Sequence, residues 1–257
     1  MKTNILLNKL AKRFPKRIAK NYHDHVGLMV GKKPEEVSKI VLVLDMDWQI
    51  FEEVKKVKPD IVITHHPFFF GSPAKIRKFN ESKRLLAEAL EALNITVYSY
   101  HTNFDTGEGG MNDALADALR LINVYRPIKE PMMRIGYLKE EMEIHDFAKF
   151  ANRAFGVNYS LLINYGKPMI KKVGIIGGGG SRDYKVALEE GCDIYISGDV
   201  SHHVRREMIE DKFNYLDMPH EIEHVFMPQM KKILLGIDPT LEVITFDHEK
   251  IPEVIKD

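Results

Sequence analysis

The chain has 257 residues, 44% hydrophobic and 29% charged, so it can bury a sizeable core in one large or two small domains. Basic and acidic residues both number 37, so no net charge draws the chain towards nucleic acid or an anionic membrane. The only cysteine, Cys192, excludes an intrachain disulfide and a cysteine-based zinc site. No stretch has the length and hydrophobicity of a membrane span, so we expect a cytoplasmic protein.

Strand and helix patterns alternate along the first half of the chain. The spacing of apolar residues predicts helices over 5–14, 48–58, 81–94 and 112–122, and strands over 39–45, 60–64 and 95–100. This order is typical of a largely parallel sheet that is covered by helices on both faces.

The pattern breaks between Asn123 and Pro131 and then starts again. It predicts strands over 134–138, 160–163, 172–176 and 193–197, and helices over 143–155, 183–190 and 202–210. A final helix over 221–235 and a strand over 241–246 are expected to return to the first lobe. We therefore predict an α/β fold of two similar lobes, each a mixed or mostly parallel sheet flanked by helices. Residues 1–125 and 217–257 would form the first lobe, and residues 126–216 the second.

Two adjacent histidines, His65 and His66, follow the predicted strand 60–64 and precede Pro67. Neighbouring side chains on a regular strand point to opposite faces, so both can serve one site only where the strand has ended. The proline favours such an ending. Ligands bind beyond the carboxyl ends of parallel strands, and imidazole suits Zn, Fe, Ni or Mn. The pair is a candidate metal site; the alternative is two rings hydrogen-bonded to the backbone.

A second cluster, His101–Asp105, follows the predicted strand 95–100, and the polar residues and glycines around and after it predict a loop. A carboxylate at Asp105 could bridge two metal ions. His101 could bind a metal or orient a ligand. The alternative for Asp105 is an Asx turn or a cap of the loop.

A third cluster contains His220, Glu221, Glu223 and His224. On a helix that starts near Pro219, His220 shares a face with both Glu223 and His224, whereas Glu221 points elsewhere. The pattern therefore indicates His220 as one ligand and leaves Glu223 and His224 as competitors for the next. The alternative is a solvated first turn whose acids complement the helix dipole.

Two further segments follow predicted strands. Four glycines, Gly177–Gly180, precede a helix as a phosphate loop would, but no phosphate-loop motif is completed, which favours a tight strand-to-helix turn. Backbone amides and Arg182 could still hold an anionic substrate. In the second segment Asp199 is expected to cap the helix from His202. Either His202 or His203 could line a pocket as an acid or a base, although surface or capping roles are favoured.

Together these segments resemble one family, the Nif-three-like dinuclear-metal proteins that are catalogued as GTP cyclohydrolase I type 2. The similar segments run in family order across nearly the whole chain: HVGLMVG (25–31), THHP (64–67), HTNFD (101–105), GMNDALA (110–116), IIGGGGS (175–181), SGDVSHH (197–203) and DMPHEIE (217–223). The chain departs from the family pattern at His25, where Asn is usual, and at Pro219, where Gly is usual. It is too short for the inserted middle domain of larger members and so resembles the compact form.

The resemblance implies two divalent metal ions per chain, with Zn, Fe, Mn or Ni as the candidates. The implied ligands are His65, His66, Asp105, His220 and Glu223, and the candidate catalytic residues are His101 and His203.

The resemblance also implies a Nif-three-like fold, a ring-shaped homo-hexamer and a metal-dependent hydrolase that acts on a nucleotide-like substrate. Phosphoester hydrolysis would need the same ligands as the opening of a purine ring. The alternative is a non-enzymatic, metal-stabilised hexameric scaffold or regulator that binds protein or nucleic acid. The zero net charge disfavours nucleic acid as its partner. Metal storage or delivery is a third hypothesis.

Overall fold

The computed structural model of the protein describes residues 1–255, which form two compact units. The first unit contains Met1–Gly110 and Phe226–Glu249. The second contains Met111–Val225 and the tail that begins at Lys250.

The elements are numbered along the chain. The strands are β1 (Gly27–Val30), β2 (Lys39–Val43), β3 (Ile61–Thr64), β4 (Thr96–Ser99), β5 (Ile122–Tyr125), β6 (Arg134–Glu143), β7 (Leu161–Ile163), β8 (Met169–Ile175), β9 (Ile194–Ser197), β10 (Asn214–Asp217) and β11 (Glu242–Thr245). The α-helices are α1 (Thr3–Arg13), α2 (Lys16–Asn21), α3 (Trp48–Val57), α4 (Pro73–Phe79), α5 (Glu81–Ala92), α6 (Thr102–Thr106), α7 (Met111–Ala118), α8 (Ile144–Phe155), α9 (Tyr184–Glu189), α10 (His202–Glu210) and α11 (Phe226–Ile237). Short 3-10 helices cover Ser181–Asp183 and His220–Val225.

The sheet of the first unit has the order β1-β4-β3-β2-β11. Its last four strands are parallel, and β1 pairs antiparallel with β4 at the edge. Every residue of β3 is buried, as expected for a strand covered on both faces, which explains its unbroken apolar sequence. Helices α3 and α5 supply apolar residues such as Val54 and Leu90 to the core cluster on this sheet.

The sheet of the second unit has the order β5-β6-β8-β9-β10-β7. Its centre, β8-β9-β10, is parallel, and the pairs at both ends are antiparallel. Both units are therefore mixed sheets flanked by helices, and the predicted α/β fold class is confirmed.

Strand pairing decides where the unit boundary lies. The structure places residues 111–125 and 217–225 in the second unit, whereas the sequence pattern placed them in the first. Strand β5 hydrogen-bonds to β6, and β10 hydrogen-bonds to both β9 and β7, so residues 122–125 and Asp217 belong to the second sheet.

The last long helix begins later than the sequence pattern predicts. We expected a helix over 221–235, but residues 220–225 are 3-10 and α11 starts only at Phe226. Pro228 explains the difference, because proline has no N–H for the hydrogen bond that a helix interior requires and its ring clashes with the preceding turn. In the first turn of α11 the same residue costs little.

Candidate metal centre

The parallel pairing of β3 with β4 brings the first histidine cluster together. The two strands end in register at Thr64 and Ser99, whose hydroxyl oxygens lie 2.7 Å apart. His65 and His66 follow β3, and His101 follows β4, so all three extend from the same carboxyl edge. Their candidate ligand nitrogens lie within 4.8 Å of one another.

The chain turns at His65 and His66, which allows adjacent side chains to serve one cluster. The Thr64 hydroxyl donates to the carbonyl oxygen of His66 at 2.7 Å, and the His66 amide donates to the carbonyl oxygen of Leu44 at 3.1 Å. The two rings are 5.0 Å apart, centroid to centroid. The regular ladder has therefore ended before the pair, as the position of Pro67 indicated.

The three rings share one hydrogen-bonding pattern. Nδ1 of His65 lies 2.9 Å from the carbonyl oxygen of Tyr100. Nδ1 of His66 lies 2.5 Å from the carboxylate of Asp45. Nδ1 of His101 lies 2.8 Å from the carboxylate of Asp24. A carbonyl or a carboxylate only accepts, so Nδ1 carries the proton in each ring. Nε2 is then the nitrogen that can bind a metal ion.

Asp24 and Asp45 are acceptors that stay ionised. Burial opposes the ionisation of both carboxyls, but hydrogen bonds from His101 and from His66, respectively, outweigh it and lower the pKa of each. Thr102 adds a further hydrogen bond to Asp24 at 2.8 Å. Each carboxylate therefore fixes both the tautomer and the orientation of its histidine.

Asp105 lies on a helix rather than in the predicted loop. Its amide donates to the carbonyl oxygen of His101 at 3.0 Å, which closes a turn of α6. Phe104 is fully buried and packs on Phe14 with the ring centroids 4.8 Å apart, so tertiary burial overrides the loop-like composition. The helix directs the buried Asp105 towards the cluster, with Oδ1 3.5 Å from Nε2 of His65.

The second unit carries a similar arrangement at the ends of β9 and β10. These parallel strands pair in register at Ser197 and Asp217, so Asp199 and His220 extend from the same edge. Nδ1 of His220 lies 2.6 Å from Asp199 Oδ2. Nε2 of the same ring lies 3.1 Å from Glu223 Oε2. Hydrogen bonding to Glu223, aided by Asp199, raises the pKa of His220 to about 9 despite burial.

Glu223, not His224, is the neighbour of Nε2 in His220. The Glu223 carboxylate is only 4% exposed. The His224 ring instead lies beside Gly156, with Cε1 3.6 Å from the position a β-carbon would take there. The structure therefore brings together two of the predicted ligands in this unit, His220 and Glu223.

Asp199 does not cap helix α10. Ser201 occupies the N-cap position, and no side chain accepts a capping hydrogen bond there. The Asp199 carboxylate is instead engaged by His220. The predicted cap was wrong because the contact that directs Asp199 comes from the neighbouring strand end.

The glycine run forms a tight turn between β8 and the 3-10 helix. Gly178 has a left-handed backbone (φ +65°), and a β-carbon there would lie 2.2 Å from Glu223 Oε1. Two of the turn's amides are used within the fold: Gly177 donates to Asn112 Oδ1, and Gly180 donates to the Ser197 hydroxyl, both at 2.8 Å. The turn thus packs directly against the Glu223 carboxylate.

His203 and His202 occupy the first turn of α10. Both are exposed, and their rings are 5.8 Å apart. The role of His203 as an acid or a base stays a prediction.

Sequence reasoning missed Asp24 and Asp45 as partners of histidines. Asp45 lies two residues beyond β2, just as His66 lies two residues beyond β3, so adjacent strand ends were a usable signal. Asp24 follows His23, which has a left-handed backbone (φ +55°), in an irregular segment that gave no such signal.

These donor sets fit a divalent transition metal. Neutral imidazole nitrogens and carboxylate oxygens bind Zn, Fe, Mn and Ni, and histidine ligands usually donate their other ring nitrogen to a carboxylate or a carbonyl. In the first unit such donors are His65, His66, His101 and Asp105. In the second unit they are His220 and Glu223.

The fold and these clusters define a two-unit α/β protein with histidine–carboxylate groups at the carboxyl ends of its strands. Residues 1–252 match the family described as Duf34/NIF3 (NGG1p interacting factor 3), and the chain belongs to this family. A GTP cyclohydrolase 1 type 2 homolog from Lactococcus lactis subsp. lactis (strain IL1403) is 30% identical over 256 residues, which cover 98% of both chains.

Solved structures share this fold. A Bacillus cereus protein related to NIF3 has a TM-score of 0.86 at 19% identity and matches over 100% of this chain and 99% of its own. Reduced HcgD from Methanocaldococcus jannaschii has a TM-score of 0.78 at 26% identity, over 95% of this chain and 97% of its own. Across residues 1–255, no helix is both long and apolar enough to span a membrane.

Proposed function

We propose that this chain is a dinuclear metal-dependent hydrolase that acts on a nucleotide-like substrate. The observation that supports this best is the hydrogen bonding of four histidines, each of which directs Nδ1 to a fixed oxygen acceptor. An acceptor at this nitrogen raises the basicity of Nε2 and holds the ring in place, as metal ligands require. The proposed ligands are His65, His66, Asp105, His220 and Glu223.

Two divalent ions held by these residues would supply a water of near-neutral pKa and would polarise the bond under attack. We assign proton transfer to His101. Its Nε2 can accept a proton while Asp24 holds Nδ1, and the ionised Asp24 stabilises the resulting imidazolium. His203, exposed on α10, is the second candidate for this role.

GTP is the first substrate to test. Curated relatives from Lactococcus lactis and Clostridium perfringens carry the name GTP cyclohydrolase 1 type 2 homolog. Hydrolytic opening of a purine ring needs an activated water and a proton donor, which the proposed ligands and His101 would provide. A phosphoester substrate would use the same residues and belongs in the same screen.

The test begins with protein that is purified without a chelator or a metal-affinity step. Elemental analysis should find about two ions per chain, and that metal should support turnover of GTP or of another member of a nucleotide and phosphoester panel. D105N should lose both metal and activity. H145A is the matched control, because His145 is an exposed residue of α8 whose Nδ1 lies 2.8 Å from the carboxylate of Glu143, two residues earlier in the chain.

Three results would oppose the proposal: protein without metal, metal-loaded protein that turns over no member of the panel, or unchanged activity in D105N. Metal binding without turnover would favour the scaffold or storage hypothesis.

We further propose the homo-hexamer that the family resemblance implies. Light scattering on the eluted protein measures its mass directly.

A further inference from the structure

Phe70 is an exposed aromatic residue at the edge of the histidine cluster in the first unit. Its side chain is 64% exposed. Its ring centroid lies 6.3 Å from that of His66 and 5.9 Å from that of His101, almost perpendicular to the latter at 86°. Phe68 and Phe69, which precede it, are buried. The run of three phenylalanines therefore sends two rings into the core and leaves the third beside the proposed catalytic histidine.

Phe70 also lines a cavity of about 450 Å³, a volume in the range of ligand pockets. A second exposed ring, Phe79 at 77%, lines the same cavity. Two lysines, Lys75 and Lys83, complete a wall that is aromatic and positively charged. A planar ring that carries phosphate groups matches both properties.

We propose that Phe70 stacks on the base of the nucleotide-like substrate, while Lys75 and Lys83 attract its phosphates. This inference rests on the proposed function. Every base has a π-face, and stacking on an aromatic side chain needs no particular hydrogen-bond pattern. Phe70 lines the cavity and also contacts the rings of His66 and His101, so a base stacked on Phe70 would be the part of the substrate nearest to the proposed reaction centre. The location therefore favours ring opening over phosphoester hydrolysis.

Equilibrium binding tests the stacking without any turnover. The wild-type chain has one tryptophan, Trp48, which packs on Phe51 and donates to the Ser82 hydroxyl at 3.1 Å. The double variant W48F/F70W moves the only indole to the proposed stacking position. Titration with GTP should quench its fluorescence, and inorganic triphosphate, which has no base, should not. GTP should leave the emission of the wild-type Trp48 unchanged.

Kinetics supply the second measurement. F70L removes the ring from an exposed position, so the fold should survive, and KM for GTP should rise about 5- to 150-fold, the range that corresponds to one stacked base. F70Y keeps the ring and should stay close to wild type. The matched control is I128A, because Ile128 is 99% exposed and lies in the second unit.

The outcomes separate this inference from the proposed function. If the wild type is active and F70L has an unchanged KM for GTP, the stacking is overturned but the proposed hydrolase function stands. Quenching of W48F/F70W by GTP without turnover supports the stacking and opposes the hydrolase. A change of oligomeric mass in F70L, or equal quenching by GTP and triphosphate, assigns Phe70 to another role and overturns the inference.

Discussion

Gly178 offers a sharp test of how the second unit supports its proposed metal ligands. A β-carbon at this position would lie 2.2 Å from Glu223 Oε1 and 3.1 Å from Glu223 Cδ. In G178A the carboxylate must move, because ordinary contact begins at about 3.4 Å, and the required displacement is roughly 1.2 Å. Metal–ligand distances tolerate only about 0.2 Å. We therefore expect G178A to bind metal about 10- to 100-fold more weakly, as when a residue that orients a ligand is lost.

The same substitution has a second effect that must be separated from the first. Gly178 has φ +65°, and a left-handed alanine costs about 1–2 kcal/mol of folding free energy. Gly191 has φ +73° with no atom within 4 Å of its β-carbon position, so G191A has the strain without the clash. G179A adds a methyl to the same turn at an ordinary 3.5 Å from Asp199 Oδ2.

Competition with a chelator of known affinity measures metal binding, and thermal unfolding measures stability. G178A should lose at least as much stability as G191A, whereas only G178A should lose metal affinity; G179A should keep both. Equal metal affinity in G178A and G191A would show that Glu223 either is not a ligand or relaxes freely, and the proposed role of the turn would be wrong.

Three further predictions concern separate parts of the chain. D45N and D199N should each weaken metal binding about 10- to 100-fold in the same chelator competition, because each removes the charge that holds a histidine ring; unchanged affinity would contradict the assignment. Cys192 should react with a thiol reagent far more slowly in folded than in urea-unfolded protein, since burial raises its pKa to about 12. Burial and a nearby carboxylate raise the pKa of Asp183 to about 6. D183N removes the charge that burial opposes, so it should stabilise the fold at pH 8. The expected gain is about 1 kcal/mol, because solvent around this half-buried group screens part of the effect. The folded state then binds the proton more tightly, so wild-type stability falls as pH rises from about 4 to 6, and the advantage of D183N should disappear below pH 4 in urea titrations.

Most of the fold was predicted from long segments in which apolar residues recur with a single, regular spacing. Helices α3, α5, α8 and α10 begin and end within about two residues of the predicted limits, because apolar spacing and caps such as Asp47 act within a single segment. Strands β2 and β3 were predicted from their runs of β-branched and aliphatic residues, and the structure buries all of β3 and all of β2 except Lys39. The strand ends then located His65 and His101 at one edge of the first sheet.

Some short elements, such as α6, β1 and β5, were not predicted, because their stability comes from distant contacts. Helix α6 has five residues and contains Asn103, whose side chain donates to the carbonyl oxygen of Phe14, 89 residues away. Strands β1 and β5 are stabilised by pairing with β4 and β6 and carry little pattern of their own. A single sequence holds no record of such pairings.

The carboxylate partners show why the two units contain equivalent sites. Asp45 precedes His66 by 21 residues, and Asp199 precedes His220 by the same 21 residues. In each unit the aspartate lies two residues beyond one strand, a helix follows, and the histidine lies two or three residues beyond the next parallel strand. A β–α–β segment of this length returns the chain to the same sheet edge one strand away, so the carboxylate and the imidazole come together at that edge. The same supersecondary unit, used twice, thus supplies one oriented histidine in each unit. A loss of metal affinity in both D45N and D199N is the expected consequence, because each variant removes the acceptor that holds a histidine ring.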